Sequence, residues 1–385
     1  MAAELTLEGA AFLASERAQR ELAALAEEGE PLARLEALRR AGWSPTEAGW
    51  LVEQAELRRR ARPKLPDAER LLLLREALEQ ASAHEVAAWR AARLVGRRVL
   101  EVGAGIGGDT IALARAGCRV VACERDPVRA ALLRHNLAAL ELSDRVEVRE
   151  EDGLLAEAGE VDAIYADPAR REGSKRLLDI EAMAPPLSAL RTRAAGRDLL
   201  VKQAPGLDLE QVPADAGLEL VSLAGELKEA LLTFGALRRP GPRAVLLPAG
   251  AELVRADPEL PPRVAPPGAW LYEPDPAVIR AGAVRDLGAQ LDAWQLDPRL
   301  AYLSGDAEHE TPLARRWRVL CHGPFRRKEV TRWVREAGLG RVTVKQRGTP
   351  LDPAELERRL PRGSGPPGFL FLARTDAGPL ALLAT

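Results

Sequence analysis

The sequence of 385 residues predicts an α/β protein with a doubly wound parallel sheet, an N-terminal helical domain and a small C-terminal α/β domain. Two observations lead to this prediction. Short apolar segments alternate with helical segments from residue 98 onward, and such alternation specifies a parallel sheet. A Gly-rich turn directly follows the first of these apolar segments. At ~150 residues per domain, the length itself indicates two or three domains.

Composition excludes two classes of protein. Hydrophobic residues make up 46% of the chain and charged residues 29%, which excludes an intrinsically disordered chain. The 55 Lys and Arg residues nearly balance the 57 Asp and Glu residues. The resulting net charge of −2 excludes a strongly basic nucleic-acid coat protein but is compatible with a local basic patch.

The same residues indicate a compartment. The N-terminal segment MAAELTLEGAAF lacks the basic region of a signal peptide, and no apolar stretch approaches the ~20 residues that span a bilayer. Three cysteines without a CxxC pair favour a reducing compartment. The four histidines have no metal-ligand spacing. We therefore expect a cytoplasmic protein without a membrane segment or a metal site.

Residues 1–83 are predicted to form the helical domain. Ser44-Pro45-Thr46-Glu47 is a capping box with Pro at the first helical position, so a helix is expected to start there. A basic run from Arg58 to Lys64 follows. Asp67 is placed to cap a further helix over residues 68–80.

Residues 84–249 are predicted to contain the parallel sheet. Asp126, with Pro127 behind it, predicts the start of a helix that runs to about residue 140. Gly117 suits the left-handed position after a helix over residues 109–116. The predicted parallel strands cover residues 98–102, 119–123, 146–149, 161–166 and 199–201. Segments 218–223, 230–234 and 244–247 are predicted to complete the sheet as an antiparallel tail.

Residues 250–385 are predicted to form the third domain. Pro and Gly are frequent between residues 250 and 268, which predicts an irregular linker. The periodicity beyond it predicts helices near residues 276–291 and 327–337. Strands are predicted near residues 317–320, 341–345 and 369–373.

The Gly-rich turn is the first candidate ligand site. Between Glu101 and Thr110, the residues Gly103, Gly105 and Gly108 match the pattern GxGxxG. Missing side chains let a ligand approach the backbone, and the N-terminus of the following helix offers N–H donors. The pattern alone leaves four interpretations open: a site for NAD, for FAD or for S-adenosylmethionine (SAM), or a tight turn without a ligand.

Acidic residues follow or end the first three predicted strands. Glu101 is placed to accept from the ammonium of a methionine moiety, whereas a dinucleotide pyrophosphate there would face a charge of the same sign. Glu124 is placed to hold the ribose hydroxyls of SAM or NAD, and Asp152 to accept from an adenine amino group. Each acid is alternatively a helix cap or a solvated loop charge. The alternative is weakest for Glu101, because an acid at the end of an apolar strand needs a partner.

The fourth and fifth strands are followed by candidate catalytic residues. Asp167 is placed to accept a hydrogen bond from a substrate amine or water, and Pro168 fixes the turn. Methyl transfer is a direct displacement, so one carboxylate on a rigid turn suffices. Arg170 and Arg171 are candidates to hold a substrate phosphate or carboxylate, and Lys202 to reach the same crevice. The alternatives are an ordinary Asp-Pro turn with solvated arginines and a lysine that extends along the sheet edge.

At these residues the sequence resembles the class I SAM-dependent methyltransferases. EVGAGIGGDT matches the cofactor loop of that family, Glu124 its ribose acid, and Asp-Pro-Ala-Arg occupies the position of its (D/N/S)PP(Y/F/W) motif. More narrowly, the chain resembles bacterial methyltransferases that carry a C-terminal THUMP-like domain, relatives of the trimethylguanosine-synthase group of RNA methyltransferases. Supporting segments between residue 58 and the C-terminus are EQAS, YADPARR, VKQAPGLD, YEP and VTVKQRGTPLDPAELERRL.

The resemblance implies a Rossmann-like methyltransferase sheet, SAM as methyl donor and RNA (tRNA or rRNA) as substrate. It also places Gln80 and Ser82 near the cofactor entrance. The cofactor-binding residues that it implies are Gln80, Ser82, Glu101, Gly103, Gly105, Gly108, Asp109, Thr110, Glu124, Arg125, Asp152, Gly153 and Asp167. The implied catalytic residues are Asp167, Pro168, Arg170 and Lys202.

The sequence departs from the family pattern after Asp167. Amino-methylating members usually carry an aromatic residue after Asp-Pro-Pro, which stacks on the target base, whereas Ala169 and Arg170 stand here. This departure disfavours methylation of a base amine. Pyrimidine C5-methyltransferases share a DPPR motif but need a cysteine nucleophile after the fifth strand, where this chain has Lys202. The covalent C5 route is therefore disfavoured as well.

Two basic clusters are candidate contacts for RNA phosphates. The first runs from Arg58 to Lys64. The second consists of Arg315, Arg316, Arg318, Arg326, Arg327 and Lys328. Trp317 and Phe325 lie within the second cluster and are candidates to stack on exposed bases. The interpretation that we favour, given the slightly acidic chain, is solvated faces with the aromatic rings turned into the core.

Four functions stay open from the sequence. The first is a SAM-dependent methyltransferase that acts on RNA, and the second is one that acts on a small molecule or a protein. The third is a SAM-binding or RNA-binding module without catalysis, which the missing aromatic residue favours. The fourth is an NAD-dependent oxidoreductase, which Glu101 disfavours.

Overall fold

The computed structural model describes residues 4–25, 29–157, 159–169, 171–172, 175–176, 179–257, 259–348 and 350–385. The chain divides into two compact units. Unit 1 comprises Met1–Leu218 and Lys228–Pro240, and unit 2 comprises Glu219–Leu227 and Gly241–Thr385. Along the described chain, no helix is long and apolar enough to cross a membrane.

The first part of unit 1 is helical, as the sequence predicts. The α-helices described there are α1 (Leu7–Ala14), α2 (Glu16–Ala24), α3 (Pro31–Arg40), α4 (Pro45–Ala61), α5 (Arg75–Gln80) and α6 (His84–Ala91). The predicted capping box starts α4: Glu47 N donates to Ser44 Oγ over 3.2 Å, and Ser44 N donates to Glu47 Oε2 over 2.9 Å. These two bonds satisfy backbone donors that the helix leaves free at its start.

The predicted helix over residues 68–80 is wrong. Ala68–Arg70 form one 3₁₀ turn, residues 71–74 are not helical, and only Arg75–Gln80 form an α-helix. Leu72 N donates to Asn136 Oδ1 over 2.7 Å, and Leu73 N donates to Gln54 Oε1 over 2.9 Å. Two buried side-chain amides thus take the backbone groups that a continuous helix would pair internally.

The second part of unit 1 confirms the predicted doubly wound α/β fold. Its strands in chain order are β1 (Arg98–Val102), β2 (Arg119–Cys123), β3 (Val146–Arg149), β4 (Ala163–Ala166), β5 (Arg171–Glu172), β6 (Lys175–Arg176) and β7 (Asp198–Gln203). Its helices are α7 (Gly108–Arg115), α8 (Pro127–Ala139) and α9 (Leu187–Ala194). Asp126 Oδ1 accepts from Arg129 N over 2.9 Å, which confirms Asp126 as the cap of α8.

The strand order places a switch point between β1 and β4. Parallel pairing gives the order β7-β4-β1-β2-β3, while β5 and β6 form a separate antiparallel hairpin. Strand β8 (Gly217–Leu223) follows in the chain, and β9 (Glu226–Phe234) pairs with β7 antiparallel, as predicted for the tail. From β1 the chain builds the sheet outward to β3 and then returns to the other side of β1. Ligands of open α/β sheets bind where the order reverses in this way, at the carboxyl ends of the strands.

Unit 2 contains a seven-stranded sheet with helices against it. The seven strands of this sheet are β12 (Trp270–Pro274), β13 (Trp294–Gln295), β14 (Leu303–Gly305), β15 (Ala314–Pro324), β16 (Val342–Arg347), β17 (Gly368–Thr375) and β18 (Gly378–Ala384). Two further strands of unit 2 precede them in the chain, β10 (Pro242–Leu247) and β11 (Ala251–Val254). Its helices are α10 (Pro276–Arg280), α11 (Val284–Gln290), α12 (Arg327–Glu336) and α13 (Pro353–Arg359). The sheet has the order β13-β14-β12-β15-β18-β17-β16, and β10 pairs with β11 as an antiparallel hairpin.

Two predictions for this unit need correction. The segment predicted as an irregular linker contains β11, because residues 251–254 pair in register with residues 243–246. The helix predicted near residues 276–291 is two helices, since Gly282 adopts a left-handed backbone with φ of +73° between them.

Trp317, one of the two aromatic residues of the second basic cluster, belongs to the core, which contradicts the hypothesis that it stacks on bases, whereas Phe325 is partly buried. Trp317 is only 7% exposed, and its ring centroid lies 4.9 Å from that of Phe371 and 5.5 Å from that of Phe369. Phe325 packs against a second apolar cluster that includes Val330. Alternation along β15 turns Trp317 inward and leaves neighbouring arginines outside, as the favoured interpretation expects for the Trp317 ring.

Candidate functional site

A cleft of about 430 Å³ opens at the carboxyl ends of the parallel strands, at the predicted switch point. It brings together thirteen sequence-predicted residues that are far apart in the chain. They are Gln80, Ser82, Glu101, Gly103, Gly105, Gly108, Asp109, Glu124, Arg125, Asp152, Gly153, Asp167 and Lys202. Thr110 and Pro168 are buried behind this lining, and Arg170 lies outside the described residues.

The glycines of the turn leave the backbone open toward the cleft. Gly103 and Gly105 have φ values of +79° and +59°, and a Cβ built on either would meet no atom within 4 Å. Gly103 N and Ala104 N both donate to Cys123 O over 3.0 Å, which fixes the turn to β2. A side chain at either glycine would be strained and would project into the empty space, so these positions suit a ligand that approaches the backbone.

Glu101 ends β1 as a buried carboxyl group, 2% exposed. Its Oε2 accepts from Thr110 Oγ1 over 2.7 Å, so Thr110 supports the site from behind. Burial raises the pKa of the Glu101 carboxyl to about 8, with the nearby charges of Asp109 and Asp167 adding to the effect. A cationic group in the cleft would favour its ionised form.

Glu124 follows β2 with both carboxylate oxygens held by the backbone. Oε2 accepts from Gly105 N and Oε1 accepts from Asp126 N, each over 2.8 Å. The residue is 6% exposed and lines the cleft. Because each carboxylate oxygen has a second lone pair, the group is fixed in place and still able to accept from a ligand.

The residues after β3 combine an exposed acid with a constrained glycine. Asp152 Oδ1 accepts from Leu154 N over 2.9 Å, which is the turn role that the sequence left open, and the residue is exposed. A Cβ on Gly153 would lie 3.0 Å from Val102 Cα, so a larger residue would force the loop away from β1. Arg125 and Gln80 are exposed at the rim.

Asp167 and Lys202 form an ion pair where β4 and β7 end. Lys202 Nζ lies 2.5 Å from Asp167 Oδ2, and the side chains are 5% and 25% exposed. Ala169 N donates to Ala184 O over 2.9 Å, and Ala184 N donates back to Ala169 O over 3.1 Å. This pairing holds the turn after Asp167 against the segment 183–186, which lines the same part of the cleft.

Sequence reasoning missed a buried ionic cluster behind the cleft. Arg90 on α6 is 2% exposed and contacts Asp109 and Glu229 in ion pairs, while Tyr165 OH donates to Asp109 Oδ2 over 2.8 Å. Arg90 follows Val86 by four residues on the buried face of α6. An arginine at such an apolar helical position signals a buried acidic partner, but nothing in the sequence says which acid.

The charges around the strand ends suit a cationic ligand. Glu101, Asp109, Glu124 and Asp167 line this region; Lys202 pairs with Asp167 and Arg90 pairs with Asp109 from behind. Among the described residues, no group of three or more His, Cys, Asp or Glu side chains forms a candidate metal site. Carboxylates next to exposed glycine backbone match a ligand with positive charge and hydroxyl donors.

Comparison with known proteins identifies the family. Residues 73–172 match a family described as "Putative SAM-dependent methyltransferase", and residues 314–385 match one described as "THUMP domain-like". Two proteins from Mycobacterium tuberculosis, from strains CDC 1551 / Oshkosh and ATCC 25618 / H37Rv, are each 37% identical over 345 residues. The alignment covers 87% of this chain and 95% of each relative, and both are named "Uncharacterized S-adenosylmethionine-dependent methyltransferase".

The chain belongs to the S-adenosylmethionine-dependent methyltransferases. A crystal structure described as a "putative methyltransferase" from Porphyromonas gingivalis W83 shares the fold of this methyltransferase with a TM-score of 0.79 and 24% identity. The superposition covers 95% of this chain and 96% of the chain from Porphyromonas gingivalis. The enzyme therefore uses SAM as its methyl donor, and the open backbone at Gly103 and the acidic strand ends fit that sulfonium nucleoside.

Proposed function

We propose that this methyltransferase modifies RNA and that a basic surface of unit 2 recruits it. Between residues 314 and 347 the chain carries eleven Lys and Arg residues and two Glu residues, a net charge of +9, whereas the whole chain carries −2. A charge asymmetry of this size is the electrostatic footprint of a polyanion-binding surface. This segment spans β15, α12 and β16. We call it the basic segment.

Part of the basic segment is available to a partner, whereas Arg316 pairs with Glu308 and Glu310, and Lys345 and Arg347 pair with Glu273. Arg315, Arg318, Arg327 and Lys328 are exposed, and within the described part of the chain none of the four makes an ion pair. Arg326 contacts Glu329 only at 3.9 Å and its side chain is 73% exposed. Exposed arginines without competing carboxylates are suited to phosphate oxygens, which they bind through paired N–H donors.

The family match supports the same partner. The residues matched by the THUMP-like family, 314–385, include the whole basic segment. The resemblance that the sequence shows to RNA methyltransferases, including the trimethylguanosine-synthase group, stays part of the proposal. We also propose that the chain has three domains, residues 1–83, 84–249 and 250–385, and that the second, with the parallel sheet, is the catalytic domain.

We assign the residues of the cleft by the chemistry each can perform. Glu124 accepts from the ribose hydroxyls, Asp152 from the adenine amino group, and Glu101 faces the ammonium of the amino-acid end. The backbone at Gly103 and Gly105 leaves room for the nucleoside. The proposal also keeps Gln80 and Arg125 at the rim of the site.

Asp167 is the proposed proton acceptor for methyl transfer. The bound cofactor supplies an electrophilic methyl group on a sulfonium sulfur. The nucleophile of the substrate would form a bond to that carbon as the carbon–sulfur bond breaks and leaves its electron pair on the sulfur of the departing thioether. Asp167 would take the proton of the nucleophile, and Lys202 keeps the carboxylate in place over 2.5 Å. Pro168 is buried and fixes the path of the turn, and Arg170 is proposed to contact the substrate.

The cleft points to direct transfer rather than to a covalent enzyme intermediate. Cys123 lines the cleft, but burial raises the pKa of its thiol to about 12, so it is not a thiolate nucleophile at neutral pH. Among the described lining residues there is no Phe, Tyr or Trp to stack on a base. Met183 and Pro185 line the cleft beside the turn after Asp167, and this surface is the proposed contact for the acceptor.

Nucleoside mass spectrometry of tRNA and rRNA tests the substrate. In a strain that lacks the gene, we expect one methylated nucleoside to disappear and to return when the wild-type gene is supplied, but not when the Asp167→Asn variant is supplied. The purified enzyme with SAM should restore that nucleoside in RNA from the deletion strain. An unchanged set of methylated nucleosides would contradict RNA as the substrate and would favour a small molecule or a protein.

A further inference from the structure

A single buried arginine links four elements behind the cofactor cleft. Arg90 Nη2 donates to Ser82 Oγ over 3.0 Å and contacts Asp109, while Nη1 contacts Glu229. The Arg90 guanidinium carbon lies 5.8 Å from the centroid of the Tyr165 ring. These five residues come from α6, the segment before it, α7, β4 and β9. We call them the Arg90 cluster.

Arg90 reaches the cleft only through its neighbours. Ser82 and Asp109 line the cleft, whereas Arg90, Tyr165 and Glu229 are buried behind it, each 2% exposed. The same Nη2 atom contacts both lining residues. One guanidinium therefore fixes the distance between two polar groups that face the ligand.

The cluster lies on the side of the cleft that would receive the amino-acid end of SAM. The residues proposed for ribose and adenine, Glu124 and Asp152, follow β2 and β3. Asp109 is instead hydrogen-bonded to Tyr165 of β4, on the other side of β1 in the strand order. A nucleoside with its sugar and purine toward β3 thus has its opposite end toward β4 and the Arg90 cluster.

The charges of the cluster explain why an arginine is needed there. Burial opposes ionisation of Asp109, but the positive charges of Arg90 and Lys202, with hydrogen bonds from Arg90 and Tyr165, hold its pKa below the ordinary value. Burial raises the pKa of Glu229 despite the attraction of Arg90. Without the guanidinium, two carboxyl groups would share a buried site with only the Lys202 charge nearby and without the hydrogen bonds of Arg90, and Asp109 would tend to take up a proton.

We propose that Arg90 is a positioning residue of the cofactor site, which orients Ser82 and the ionised Asp109 toward the amino-acid end of SAM. The inference rests on SAM as the cofactor and not on the RNA substrate. A lysine cannot replace it, because one ammonium group lacks the planar fork that reaches Ser82, Asp109 and Glu229 together. Asp109 then offers fixed negative charge to the ligand's ammonium without reorganising when it binds.

Calorimetric titration of the full-length protein with SAM tests this role. Arg90→Lys should raise the Kd for SAM by about 10- to 100-fold, the scale of one lost hydrogen bond to a charged group. The matched control is Arg97→Met, which breaks the ion pair of Arg97 with Asp198 in the same unit. Neither Arg97 nor Asp198 lines the cleft, so the control should lower the melting temperature and leave the Kd unchanged.

A double variant separates positioning from stability. Arg90→Met alone leaves Asp109 and Glu229 without their cation and should lower the melting temperature. Arg90→Met combined with Glu229→Leu removes one of those buried charges, so the melting temperature should rise again. If Arg90 positions the site, the Kd for SAM stays raised in the double variant.

Two results would overturn the proposal. One is a double variant with recovered stability and a Kd equal to that of the unaltered protein, which would make Arg90 a merely structural residue. The other is an Arg90→Lys protein that binds SAM as tightly as the unaltered protein. Because titration uses SAM without any RNA, a failure here is distinct from a failure of the proposed RNA substrate.

Discussion

The cofactor cleft of unit 1 and the basic segment of unit 2 use charge in opposite ways. Where the cleft meets β4 and β7, charged groups are paired and largely buried: Lys202 with Asp167, and Arg90 with Asp109 and Glu229. In the basic segment most cations are exposed, and Arg326 keeps 73% of its side chain in solvent. Buried pairs fix the position of individual atoms, whereas exposed cations act together through a long-range field.

The difference predicts two kinds of sensitivity to mutation. A single change in the cleft should have a large effect that salt hardly alters, because buried pairs are poorly screened. A single change in the basic segment should have a small effect that depends strongly on salt, since each phosphate contact adds only one increment. Variants in each region test this contrast.

The largest effect is expected from Asp167→Asn. The amide cannot accept the proton of the substrate nucleophile, so kcat should fall by ~10²- to 10⁴-fold, the usual contribution of a general base. The Kd for SAM should change little. Steady-state kinetics with RNA from the deletion strain, together with calorimetry, gives both numbers. Asp144→Asn, an exposed acid of the same unit, is the control. Retained turnover in Asp167→Asn would remove the proposed role.

Glu124→Gln is expected to weaken cofactor binding next. The NH₂ group of the new amide would face one of the backbone N–H donors of Gly105 and Asp126. The ribose would also lose a negatively charged hydrogen-bond acceptor. The cost should be ~1–3 kcal/mol, or ~5- to 150-fold in the Kd for SAM. Glu147→Gln on the exposed side of β3 serves as the matched control. Equal affinities of the two variants would contradict the assignment of Glu124 to the ribose.

Glu101 should make the affinity for SAM depend on pH below about pH 8. Its pKa of about 8 in the free protein means that the group holds a proton at pH 7. Binding of a cation favours the ionised form, so the affinity should rise with pH up to about 8, by at most ~10-fold per pH unit. The amino group of SAM also titrates at ~8, and it does so in the same way with both proteins. The difference between the pH dependence of the Kd in the unaltered protein and in Glu101→Gln therefore reports Glu101 alone.

The same carboxyl group predicts how folding stability depends on pH. The unfolded group loses its proton near 4.5, whereas the folded group keeps it to about 8. The folded state therefore binds more protons between these values, and stability should fall as the pH rises through that window. Thermal unfolding of the protein and of Glu101→Gln measures this. Parallel pH profiles for the two proteins would show that Glu101 does not titrate in the window.

The smallest effect is expected from Arg327→Ala combined with Lys328→Ala. These exposed side chains lie outside the cleft, so SAM binding should be unchanged and RNA binding weakened by a few-fold. The slope of the logarithm of RNA affinity against the logarithm of salt concentration should become shallower by the amount expected for about one to two lost phosphate contacts. Filter binding at several salt concentrations measures the slope. Arg39→Ala combined with Arg40→Ala on α3 is the matched control, and an equal loss in both pairs would contradict a specific basic surface.

Local signals predicted the sheet and much of the site. Asp126 with Pro127 marks the start of α8, and the glycines from Gly103 onward mark the turn after β1. These features depend on residues within a few positions of one another, which is why the sequence suffices for them.

Contacts between distant residues were beyond the sequence. The helix predicted over residues 68–80 is interrupted because Gln54 and Asn136 bond the backbone of Leu72 and Leu73 from elsewhere in the chain. The pair of Arg90 with Glu229 joins residues 139 positions apart. Such partners are fixed by tertiary packing, and no local pattern identifies them.

A crystal structure of the enzyme with S-adenosylhomocysteine tests the central claim most directly. We expect the ribose hydroxyls at hydrogen-bond distance, ~2.5–3.2 Å, from the Glu124 carboxylate, with the amino-acid end toward Glu101 and Asp109. A ligand bound elsewhere, or a cleft that stays empty at saturating ligand with Glu124 still bonded only to Gly105 and Asp126, would contradict it.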